Sequence, residues 1–277
     1  MGYPEAQFQL AGILFMKEGR WYDLPRGRKL LKSAADGGCP DAEHQLGLLY
    51  AYGANGFKRD PVLAKKYLLK ACEDGVQNAQ MEYANMCFEG TLLPKDLAEA
   101  AKWLQVASEG FNGSATYMLG VMHANGYYFE PDDRKAFELF TDASESGEPN
   151  AQYALACFYY EGRGTEKDPK KAAVWFREAA EQGHVGAMSF LGMFLITGIN
   201  SEQNVEEGLA LLKKAADAGY YEAQFYLGKL YKEGEYVPKD LDYAKEMLVQ
   251  AQRQGDPDAG ALLQEIKKEK KDAKKRR

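Results

Sequence analysis

The sequence predicts an all-α fold, a solenoid of about seven 36-residue helix hairpins followed by a C-terminal capping helix. Alanines stand at Ala6, Ala42, Ala79, Ala115, Ala151, Ala187, Ala223 and Ala259, separated by 36 or 37 residues throughout. A fixed period of that length marks an array of supersecondary units. The sixth residue of each unit, counting the alanine as first, is small: Ala11, Gly47, Ala84, Gly120, Ala156, Gly192 and Gly228. Bulk there would hold apart two helices that must touch, at a cost of about 1 to 3 kcal/mol. Helix punctuation recurs at the same period, with a glycine midway through the unit and an Asp or Asn soon after.

Each element of the unit follows from its residues. A first helix is predicted from the alanine to about the eleventh position. Gly53, Gly90, Gly126, Gly162, Gly198 or Gly234 then suits a left-handed C-terminal cap, and the first unit instead has Lys17 and Gly19. After a loop, Asp23, Asp60, Asp96, Asp132, Asp168, Asn204 and Asp240 suit the N-cap of a second helix, where a short side-chain oxygen satisfies orphaned N–H groups. Proline follows Asp60 and Asp168, as the first helical turn favours. Four residues after the cap comes a small residue (Gly27, Ala64, Ala100, Ala136, Ala172, Gly208, Ala244). Three further comes a bulky one (Leu30, Tyr67, Trp103, Leu139, Trp175, Leu211, Met247), which defines one helix face. A hairpin of this kind cannot cover its own apolar faces, so the units must stack. The predicted division is an array over residues 1–258, with units starting near 6, 42, 79, 115, 151, 187 and 223, then a capping helix with a basic tail over 259–277.

The opening "GYPEA" has the form of the joint between one unit's second helix and the next unit's first, as in "GCPDA" from Gly38 and "GEPNA" from Gly147. The expectation is a longer natural chain, with further units or a leader upstream, located in the cytoplasm or in the periplasm and beyond.

Composition narrows the chemistry. The net charge is -6, but the last eleven residues, "KKEKKDAKKRR", are strongly basic, so the body is distinctly acidic. Phosphate binding needs a positive face, so no nucleic-acid partner is expected, and membrane contact is expected only through the tail. Four cysteines (Cys39, Cys72, Cys87, Cys157) contain no C-x-x-C pair and read as packed thiols. The three histidines, His44, His123 and His184, are scattered, and no catalytic set or metal site follows from spacing. "GRG" at Gly162 lacks a preceding strand and a P-loop lysine, and "NGS" at Asn112 is a glycosylation triplet. No cofactor is expected.

The pattern A-x-x-x-L-G-x-x-Y-x-x-G, a loop ending in Asp, then K-A-x-x-W and A-A-x-x-G, is clearest in "AQYALACFYYEGRGTEKDPKKAAVWFREAAEQGH" from Ala151. It resembles the Sel-1-like repeat, a relative of the tetratricopeptide repeat, over nearly the whole chain. The resemblance implies a right-handed α–α superhelix and a non-enzymatic adaptor that presents a concave groove to a protein or peptide partner, in bacterial signalling, envelope or host-interaction roles. By the same resemblance, positions three, seven and ten of the first helices line that groove. Phe15, Asn85, Phe88, Tyr160, Lys229 and Lys232 are the expected contact residues. The alternative is an envelope-ligand binder or hydrolase acting on a β-lactam or peptidoglycan, as implied by a cysteine-rich branch of the family. Cys72 matches that branch's first cysteine, but Gln80 stands where its partner belongs.

Overall fold

Proline and short polar side chains decide where most helices start, and the structure follows them closely. The computed structural model describes residues 3–275, with side chains through Asp272. Among the described residues there are fifteen helices and no strand. They run as pairs: α1 (Pro4–Phe15) and α2 (Leu24–Asp36), α3 (Pro40–Tyr52) and α4 (Pro61–Glu73), α5 (Gln77–Glu89) and α6 (Leu97–Glu109), α7 (Gly113–Asn125) and α8 (Asp133–Glu145). There follow α9 (Pro149–Glu161) and α10 (Pro169–Glu181), α11 (Val185–Thr197) and α12 (Val205–Asp217), α13 (Tyr221–Glu233) and α14 (Leu241–Arg253), and finally α15 (Ala259–Lys275).

The punctuation acts as the sequence suggests. Asp23, Asp96, Asp132, Asp168 and Asn204 each accept a hydrogen bond from the backbone N–H three residues on, and Asp60 and Asp240 accept two each. Gly53, Gly90, Gly126, Gly162, Gly198 and Gly234 all end first helices in the left-handed conformation. Without such a glycine, α1 stops at Phe15, and Met16 turns extended.

One expectation is corrected. The first helices of the seven hairpins begin two residues ahead of the repeat's alanine, because the joint is extended only as far as the N-cap and the alanine already lies in the first turn. On the second helices, the most deeply buried large residue is the one after the bulky position marked in the sequence. Leu31, Leu68, Leu104, Phe140, Phe176, Leu212 and Leu248 are at most 2 % exposed, whereas Leu30, Leu139, Trp175 and Leu211 are half-buried.

By internal contacts the chain divides into residues 1–139 and 140–277. The first unit's core is built on Leu31, Leu46, Leu68, Tyr83 and Leu104, the second's on Leu155, Phe176, Met188, Phe194 and Leu212. In both, helices of a hairpin meet at the small sixth residue. A Cβ on Gly47 would lie 2.7 Å from Leu68 Cγ, and one on Gly228 would lie 2.5 Å from Leu248 Cγ. At Gly192 the new atom would strike the Gly208 carbonyl oxygen at 2.8 Å, so there backbone packs on backbone.

One joint breaks the pattern. Gly38, Gly75, Gly147, Gly183, Gly219 and Gly255 take positive φ where a second helix hands over to the next first helix, and Phe111 does the same at +62° while 96 % exposed. An aromatic residue in this conformation is backbone strain that burial does not offset.

Candidate functional site

The expected contact residues lie on first helices, at positions that helical spacing brings to one side. In the first unit, Phe15 is half-buried and its ring lies over Gly27 of α2, where a Cβ would come within 2.7 Å of the ring. It therefore packs within its own hairpin. His44 Nε2 and Glu82 Oε2, 2.8 Å apart, tie α3 to α5 on the side that also carries Asn85 and Phe88. Phe88 is half-buried, meets the Tyr127 ring edge-on at 5.4 Å and has the Lys95 ammonium 5.9 Å over its face.

In the second unit, Tyr160 sits within a larger aromatic group. Its ring is 6.1 Å from Phe190 and 5.7 Å from Phe194, with the Lys167 ammonium 5.5 Å over its face. Two turns before it, Tyr153 stacks on His184 at 4.3 Å, with Tyr220 and Cys157 as its polar neighbours. Burial pushes the Tyr153 phenol far above its ordinary range and the Cys157 thiol up to about 11. These groups stay protonated near neutral pH and present polarised O–H and S–H bonds, the opposite of an activated nucleophile. Of the other inner positions, Ser189 and Ile196 are about 1 % exposed and belong to the core. Lys229 is exposed, while Lys232 is engaged by Glu265 of α15 at 2.5 Å.

Phe88 and Tyr160 thus share one device. Each is the tenth residue of its unit, and each carries a lysine seven residues on whose ammonium lies over the ring. The cap glycine fixes that lysine: a Cβ on Gly90 would meet Lys95 Cβ at 2.7 Å, and one on Gly162 would meet Lys167 Cβ at 3.1 Å. A ring held this way keeps a cation at its face. Spacing alone had not marked Lys95 and Lys167, although the aromatic-plus-seven lysine is visible in both repeats once sought.

The other sequence motifs have structural roles. His184 Nδ1 accepts from the Ala187 N–H and caps α11, and Asn112 caps α7 in the same way through Ala115. Cys72 is buried, its thiol pushed up to about 12 by desolvation, and Gln80 donates its amide to the Cys72 carbonyl at 3.1 Å. Where the cysteine-rich branch would place a partner thiol, this chain makes a hydrogen bond. Among the described residues, no three His, Cys, Asp or Glu side chains cluster as metal ligands would. No helix there is long and apolar enough to cross a membrane.

Comparison with known proteins agrees with the repeat fold. The crystal structure of a Sel1 repeat protein from Oxalobacter formigenes is similar at 32% identity and a TM-score of 0.72, over 94% of this chain and 75% of that one. The structure of c5321, a protective antigen of uropathogenic Escherichia coli with an SLR fold, is 27% identical with a TM-score of 0.69, over 96% of this chain and 64% of that one. An uncharacterised protein of Neisseria meningitidis serogroup B is 29% identical over 133 residues, 48% of this chain, and the match spans 27% of that relative's length. The Sel1 repeat model matches residues 4–39, 40–76, 77–110, 113–148, 149–184, 185–220 and 222–256. With seven matched repeats over nearly its full length, the chain belongs to the Sel1 repeat family, whose members are in general all-α scaffolds for protein interaction.

Proposed function

We propose that the chain is a non-enzymatic adaptor that holds a protein or peptide partner on the first-helix faces of its units. The observation that carries this reading is the lysine-flanked aromatic built twice at the same repeat position, at Phe88 and at Tyr160. Aromatic side chains with polar handles are the usual anchors of an interface. Asn85 beside Phe88 supplies a donor and an acceptor for a peptide backbone, and Lys229 adds an exposed charge in the second unit. Phe15 and Lys232 contribute from positions already held by Gly27 and Glu265. The likeness to a protective antigen of uropathogenic Escherichia coli supports a bacterial envelope or host-interaction setting.

The test is co-purification from the source organism with the intact protein beside a Phe88→Glu/Tyr160→Glu variant. A specific partner retained by the wild type and lost by a variant with unchanged circular dichroism is the expected result. A partner held equally by both would overturn the proposal.

A further inference from the structure

The second unit carries another recess, whose lining includes none of the first-helix residues just described. It is an open groove of about 790 Å³ between α14 and α15. Its floor is aliphatic, with half-buried Val249 and Leu263 above buried Leu248 and Ile266. Every charged residue lining it is a lysine: Lys245, Lys267, Lys270 and Lys271. Two acids of α15 are engaged outside the groove, Glu265 by Lys232 and Glu269 by Lys239, both at 2.5 Å. Asp242 at the rim pairs with Lys270, which leaves Lys245, Lys267 and Lys271 without a salt bridge among the described residues.

The register of α15 shows what fits. Ala259 takes the repeat's alanine position and is fully buried, so α15 stands as a first helix. In all seven hairpins the sixth residue is Ala or Gly, and at Gly47, Gly192 and Gly228 the second helix lies against it, whereas here it is Gln264, which is exposed. A side chain of that length holds an incoming helix further out than a hairpin partner. Such a helix rests its apolar stripe on Val249 and Leu263 and places its flanking residues within reach of the lysines.

We propose that this groove binds an acidic amphipathic helix of a protein partner, apolar stripe inward and Asp or Glu residues on both flanks. Charge disfavours a second copy docking through its N-terminal hairpin, since α2 carries Arg26, Arg28, Lys29 and Lys32 against the single acid Asp36. A bilayer surface is too flat to reach a recessed floor, and the floor offers no aromatic face on which a base could stack.

The probe is a display library of amphipathic helices about five turns long, with the polar face varied among Glu, Lys, Gln and Ser. It is selected on the intact protein, and the affinities of the winners are then measured by fluorescence anisotropy. Glu is expected to enrich beside the apolar stripe. Binding should weaken at least about tenfold in a Lys245→Glu/Lys267→Glu variant of unchanged melting temperature, and stay the same in the Phe88→Glu/Tyr160→Glu variant, which separates this groove from the first-helix faces. Enrichment of basic or uncharged helices, equal binding after the stripe is scrambled, or indifference to the lysine reversals would each overturn the proposal. So would lysine-dependent binding of phosphatidylserine vesicles or polyuridylate, or a lysine-dependent dimer in light scattering, with no helix bound.

Discussion

Glu43 occupies a position that other repeats give to glutamine. Gln80 and Gln224 each donate a side-chain amide to the carbonyl eight residues back, at 3.1 Å, and a carboxylate has no proton to donate there. The Glu43 side chain is fully buried: one oxygen accepts from the Lys70 ammonium and the other has no partner. Desolvation raises its carboxyl above the usual range, Lys70 opposes the shift, and nearby Asp74 adds to it. A carboxyl whose folded value lies above its unfolded one favours the fold at pH below the unfolded value and loses that contribution as pH rises through the folded value. Glu43 therefore costs stability at neutral pH. Glu43→Gln removes that cost and supplies the missing donor, giving up an ion pair to a half-exposed lysine that is worth little. The expected result is a variant more stable than wild type by about 1 kcal/mol near pH 7, with the gap narrowing toward about pH 4. Thermal melts at the two pH values measure it, and a variant that melts lower at neutral pH contradicts the account.

Helix starts show which elements can be read from sequence. The second helices were legible because Asp or Asn does one physical task at one position in all seven units. The first helices were misplaced by two residues, since Tyr3, Cys39, Val76 and Tyr220 cap with extended backbone and no side-chain acceptor. In α11 the cap is His184, and a ring nitrogen accepts a hydrogen bond only when it carries no proton. Burial beside Tyr153 lowers the His184 pKa despite the opposing charge of Glu148. A histidine with a depressed folded value contributes stability that is fully present above its unfolded pKa of about 6.5 and is lost as pH falls from there through the folded value. His184→Asn copies the cap that Asn112 gives α7 and removes the titration. Between about pH 7 and about pH 5 the variant should lose less stability than wild type. His123, also lowered by burial, titrates in both proteins, so the difference isolates His184. Parallel losses in the two would show that the cap does not depend on proton state.

At the scale of the whole chain, the period was legible because burial repeats with it: Ala42, Ala79, Ala115, Ala151, Ala187, Ala223 and Ala259 are all fully buried. The candidate site was legible only in part. Phe88 and Tyr160 follow from helical spacing, but Lys95 and Lys167 reach them from loops whose path no helical period describes. Energies in such an array are sums over neighbours, so damage to one end should stay near that end. α15 offers the test, because with Ile266 and the half-buried Leu262 and Leu263 it covers Ala244, Leu248 and Ala251 of α14. Deleting residues 259–277 uncovers that apolar face and also removes the exposed pairs of Glu265, Glu269 and Lys270, which matter less. Amide hydrogen exchange should then lose protection by at least about tenfold in α13 and α14, while α3 to α6 keep theirs. A uniform loss along the whole chain would mean that folding is cooperative over its full length and that nearest-neighbour energetics do not describe it.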